Sequence, residues 1–179
     1  MARSIVQDKW TLAMLLYNLG DVANHQGHFE RARTLAEEEV TLCQESGDNR
    51  GIVWALEIMA RAAASQGNAG RASRLGGAAD ALMEMIGVQL PPTLRGPHER
   101  YLGSVRAALG DESFAAAWAA GRTMRLPQIL AYALARDEGL ETFQWEASEE
   151  PNASCCSTLP ATWLATGHGP PPARGGRLY

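Results

Sequence analysis

His25, His28 and Glu30 stand close together in the stretch NHQGHFE, residues 24–30. Two imidazoles and a carboxylate at this spacing could ligate zinc, or could form a general base with an orienting partner. The alternative is a helix–turn–helix corner that carries imidazoles. The chain contains its own control. About forty residues further on it reads ASQGNAG, residues 64–70, where Gln66-Gly67 falls on Gln26-Gly27 and Ser65 and Asn68 fall on the two histidines. The corner keeps its glycine and not its imidazoles, so the stretch reads as a turn, and no metal site is expected. Nor does other catalytic chemistry emerge. Paired carboxylates for hydrolysis are not discernible, and Ser, His and Asp are scattered without a nucleophile context. No Gly-x-x-x-x-Gly-Lys-Ser/Thr loop is present to cradle phosphate. Asn152-Ala153-Ser154 matches a glycosylation acceptor, which carries no weight without a secretory signal. A non-enzyme without cofactor is expected.

The elements that position these residues repeat with them. Leu16, Leu19 and Ala23 fall on Leu56, Met59 and Ala63; Arg31, Ala32 and Leu35 fall on Arg71, Ala72 and Leu75; Leu42 and Gly47 meet Leu82 and Gly87. A self-match at one offset of about forty marks a helical repeat array. Leu12, Leu15, Leu16, Leu19, Val22 and Ala23 recur at spacings of three and four, the stripe of an amphipathic helix, with Asp8 as N-cap and Gly27 as stop. A second helix is predicted over 29–46, a third over 52–66 behind an Asp48 cap, and a fourth over 69–86. The Pro- and Gly-rich stretch 87–96 breaks the pattern. Pro97 then opens a helix, Asp111 caps another and Pro127 opens a last short one. After about Asp137 the chain turns acidic and then rich in Pro, Gly, Ser and Thr, without period, as in a disordered tail. The expected organisation is two repeats over 1–87, a C-terminal helical cap over 88–138 and the tail over 139–179.

The 179 residues suffice for one domain burying roughly 70% of its unfolded surface. The net charge of −4, with Lys9 the only lysine, argues against strong attraction to nucleic acid or acidic membranes. Three cysteines, two of them adjacent, give no disulfide framework, which fits a cytoplasmic protein. Neither a signal peptide nor an apolar run long enough to span a bilayer is visible.

Leu16, Leu19-Gly20, Ala23, Gly27, Phe29 and Ala32 resemble the tetratricopeptide consensus, although the period is longer than that family's usual one and its terminal proline is missing. The segments GHFERARTLAEEEVTLCQESGDNRGIVWAL, GRASRLGGAADALMEMIGVQLPP and ERYLGSVRAALGDESFAAAWAAGR are more specific. Over about residues 8–136 the chain is similar to the C-terminal region of large ATP-dependent LuxR-type (MalT-like) bacterial transcriptional regulators. That resemblance implies an all-α, tetratricopeptide-like antiparallel helix-pair solenoid. It also implies nucleotide-binding and DNA-binding domains in full-length relatives. Neither is found in these 179 residues, so a fragment or truncated relative is expected. A free-standing adaptor of the same fold is the rival reading, and an enzyme the remoter one.

By the same resemblance a protein or small effector would bind a concave groove lined by Met14, Tyr17, Asp21, Asn24 and His25, then Trp54, Glu57, Arg61 and Ala64. Tyr17, Asp21 and His25 are four apart and share one helix face. On the bland reading this is a solvated face, with Glu57 and Arg61 a simple helical ion pair. AEEEV, residues 36–40, is expected to be an exposed acidic face, although Glu39 falls where the family prefers a small residue. Phe114 and Trp118 are expected in the core. Leu12 and Leu15 would face nothing at the N-terminal end, which predicts self-association there or dependence on a preceding domain.

Overall fold

The computed structural model describes residues 2–135, with side chains over 8–135. These residues form seven α-helices and no strand: α1 Ala2–His25, α2 Phe29–Ser46, α3 Asn49–Ser65, α4 Ala69–Ile86, α5 Pro92–Leu109, α6 Asp111–Arg122 and α7 Leu126–Leu134. Among them no helix is long and apolar enough to cross a membrane. The tail expected over 139–179 lies outside the described residues.

Two hairpins carry the internal repeat. Short corners fold α2 back on α1 and α4 back on α3, and α3 also packs against both helices of the first hairpin. Each corner turns on a glycine in the left-handed region, Gly27 at φ +78° and Gly67 at φ +82°. A β-carbon is strained there, which is why glycine survives in both copies while His25 and His28 do not. Gly47 and Gly87 end α2 and α4 in the same way, at φ +71° and +67°. Asp48 caps α3 as expected, its Oδ1 accepting from the Arg50 and Gly51 amides at 3.1 Å each.

The core runs through α3 and α4. Ile52, Leu56, Ile58 and Leu75 are fully buried, and Ala32, Ala36, Val40 and Cys43 of α2 close on them from one side. From the other side α6 lies directly on α4. A β-carbon on Gly77 would overlap the Trp118 backbone, and one on Gly121 would overlap the Arg74 carbonyl. The paired glycines of α4 therefore serve helix contact. Phe114 stacks on Trp118 with ring centroids 5.5 Å apart, and both face the core. α7 returns to the first two hairpins: buried Arg71 donates to the carbonyls of Tyr132 and Ala133, and Arg33 donates to that of Ala135. Two arginines thus hold the open carbonyl end of α7.

Several expectations are corrected. Asp8 lies inside α1, not at its cap. Pro97 lies inside α5, which starts at Pro92 because proline suits a first helical position. Asp111 is the first residue of α6; Gly110 takes the cap position, and no side chain caps it. Of the α1 stripe, Leu16 and Ala23 are buried; Leu12 and Leu15 are about half exposed, as expected of an end that faces nothing, and Leu19 and Val22 share that exposure. The helix meets its neighbours through its small side, Ala13, Gly20 and Ala23, where a β-carbon on Gly20 would already press on Ile58. Finally, Glu39 is 1% exposed, so AEEEV is not a uniformly solvated face.

Candidate functional site

The face expected to bind is built by α1 and α3 and extended by α5. Asp21 and Arg61 meet across α1 and α3 at 2.6 Å. Glu57 does not pair with Arg61 along its own helix. It reaches α5 instead, where its Oε2 lies 2.9 Å from His98 Nδ1. Glu57 and Arg61 are thereby each matched by a neighbouring helix, which fixes the three helices side by side. Asn24 donates to the Ile58 carbonyl at 3.0 Å, a further tie between α1 and α3.

Burial and charge shape the titration of this face. Burial, reinforced by Asp21, pushes the Tyr17 phenol up to about 12. Burial opposes the charged form of His98, but the hydrogen bond and charge of Glu57 outweigh it and hold the imidazole above the usual histidine range. Beneath the face, burial raises the Glu39 carboxyl to about 9, helped by Asp48, and raises the Cys43 thiol to about 12. Glu39 is therefore neutral at pH 7, a carboxylic acid in the core.

Of the nine expected residues, Asp21 and Arg61 touch each other, and Asn24 touches α3. Tyr17 lies within the field of Asp21, Arg61 and Glu57. Glu57 is buried, with its Oε1 lacking a partner. Met14 and His25 are exposed, and Trp54, Asp21, Asn24, Arg61 and Ala64 are partly so. Three residues were missed. His98 and Tyr101 of α5 lie edge to face, 5.1 Å between ring centroids, and extend the polar strip. Only the packing of α5 against α3 brings them to this face. Trp10, exposed one turn before Met14, adds an aromatic to the same face of α1; its i,i+4 spacing from Met14 was the available signal.

The residues around the first corner have other uses. The His25 ring bonds the Asp21 carbonyl at 2.8 Å, and Glu30 accepts from Gln66 at 2.5 Å. His28 occupies the N-cap position of α2 without a side-chain cap bond. A shallow open depression there is lined by Gly27, His28, Phe29, Glu30, Arg31 and Gln66. Among the described residues no three His, Cys, Asp or Glu side chains cluster as metal ligands would.

Chemically, the α1–α3–α5 face offers exposed Trp10 and Met14 and the half-buried Trp54 beside a polar strip whose charges are paired internally. That combination suits binding of a partly apolar segment. Comparison with protein-family models, curated proteins and solved structures finds no match to this chain.

Proposed function

We propose that the chain is a non-catalytic binding module, a tetratricopeptide-like helix-pair solenoid that takes a protein segment or small effector on its α1–α3–α5 face. Its setting is the cytoplasm, within a signal-responsive bacterial transcriptional regulator. The observation that carries this reading is the pair of hairpins turned on equivalent glycines, Gly27 and Gly67. It brings the first helix of each hairpin to one side, where Asp21–Arg61 joins them and Glu57–His98 ties α3 to α5. Residues 1–87 are then the two repeats, and α5 to α7 close the array.

Selection of displayed random peptides against the full chain tests the binding face. Peptides should be recovered whose binding is lost in Met14→Glu and Trp54→Ala and kept in Met85→Glu, a change at an exposed site of α4. Recovery of binders indifferent to Met14 and Trp54 would sink the assignment of this face. Reading the DNA around the coding sequence tests the setting. A nucleotide-binding loop and a helix-turn-helix in the same reading frame would support a regulator, and a solitary frame would favour the free-standing adaptor.

A further inference from the structure

Leu12, Leu15, Leu19 and Val22 form a second apolar surface, off the binding face and independent of it. Their 3-4-3 spacing places them along one seam of α1, each about half exposed. No charged residue occurs between Trp10 and Gly20. Thr11 and Asn18 flank the seam with neutral polar groups.

The internal repeat shows what this surface is not. At the same register α3 carries Ile52, Ala55, Met59 and Ala62, all buried where α3 packs on the first hairpin. Two alanines in four let a neighbouring helix approach closely there. In α1 all four positions are large, which holds a helix of the α2 type away. Leucines repeating at three and four instead make the a/d seam of a coiled-coil contact, whose natural complement is another such seam. Outside α1 only Met85 and Leu134 among the described residues are large, apolar and exposed, and within α1 Trp10 and Met14 lie on the binding face, so no other described face carries a seam of four such residues.

We infer that two copies of this chain pair through α1, antiparallel and about a two-fold axis. In that arrangement Leu15 faces Leu19 of the second copy and Leu12 faces Val22. Asp8 then falls opposite Gln26, a polar pair at each end of the seam. Such a contact is isologous and closes at the dimer. Four half-exposed side chains supply roughly 400 Å² of apolar surface per copy, the size at which a patch marks an interaction site. This is below the roughly 800 Å² per partner of a standard interface, so half-dissociation is expected in the micromolar range.

Light scattering on the full chain, from about 1 to about 200 μM, should show monomer passing to dimer. Leu19→Glu and Leu15→Lys should each be monomeric with unchanged helicity. Mixing the two should restore dimer, because antiparallel pairing sets Lys against Glu at one contact. A monomer at every concentration would overturn the proposal and leave the face to a different helix. So would a dimer indifferent to Leu19→Glu, or a mixture of the two variants that stays monomeric.

Discussion

Ile52, Ala55, Met59 and Ala62 of α3 are at most 3% exposed, whereas Leu12, Leu15, Leu19 and Val22, at the same register in α1, are about half exposed. The two hairpins share a pattern and differ in what lies against them. α3 lies between the first hairpin and its own partner α4, with α5 alongside, and takes small residues where the helices approach. α2 and α4 differ similarly. At one register α4 has Gly77 beneath the Trp118 backbone, and α2 has part-buried Glu37, which pairs with Arg33 at 2.9 Å. At another, α4 has Ala79 and α2 has buried Glu39. A repeated sequence thus fixes corners and register, while side-chain size at each register is set by the neighbour it meets.

Gly77 is where α4 and α2 differ most. Gly77→Ala places a methyl against the Trp118 backbone, which neither helix can yield cheaply, and should cost about 3 kcal/mol. Its control is Gly103→Ala, at a site in α5 with open space around it, which should gain up to about 1 kcal/mol from helix propensity. Urea midpoints measure both. An unchanged midpoint for Gly77→Ala would mean that α6 does not lie on α4.

Glu39 gives the next effect, and its sign follows from proton binding. The folded carboxyl keeps its proton up to about pH 9, while the unfolded one releases it near 4.5. The folded state therefore binds the extra proton across that window, and stability falls as pH rises through it, by up to about 1.4 kcal/mol per pH unit. Glu39→Gln should flatten this fall and outlast the wild type at pH 8. His98 adds a smaller fall of the same sign. Its contribution is full below the unfolded histidine value of about 6.5 and is lost as pH rises through the higher folded value. That step should survive in the Glu39 variant and vanish in His98→Gln. Equal pH slopes in wild type and Glu39→Gln would place the Glu39 carboxylate in water.

The hairpins were legible because glycine at a left-handed corner and apolar spacing are local signals, and Gly27 and Gly67 carry both. The helix count and the cap at Asp48 follow from the same signals. The buried side of α1 was not legible. Apolar residues occupy most of its circumference, so periodicity indicates a helix without choosing the arc that meets its neighbours. Glu39 was hidden because a carboxylate in an acidic run looks solvated until α1 and α3 close over it. The cross-helix pairing of Glu57 and Arg61 was hidden for a related reason: their i,i+4 spacing suggests mutual attraction, and only packing shows that Asp21 and His98 stand nearer.

Asp21 and Arg61 join the two hairpins directly. Both side chains are partly buried. A double-mutant cycle with Asp21→Asn and Arg61→Gln should give a coupling of about 1 kcal/mol, above the value of most surface pairs. Coupling indistinguishable from zero would mean that α1 and α3 are held side by side by packing and by Asn24 without help from this pair.

The smallest expected effect lies at the corner where the imidazoles stand. In the second hairpin Asn68 caps α4, its side chain accepting from the Arg71 amide at 3.2 Å. In the first, His28 holds the same position with φ −86° and ψ 62°, nearly those of Asn68 at −87° and 68°, but makes no cap bond. The backbone is already in place for a cap that histidine does not supply. His28→Asn should therefore gain about 0.5–1 kcal/mol by satisfying one amide at the start of α2. His25→Ser removes an exposed bond to the Asp21 carbonyl and a 3.7 Å contact with its carboxylate, and should change stability by less than about 0.5 kcal/mol. The double variant copies the second corner onto the first and should melt slightly above the wild type. A loss of more than about 1 kcal/mol, or zinc bound one to one by the wild type and lost in the variant, would show that the histidines act together and that the glycine corner does not account for them.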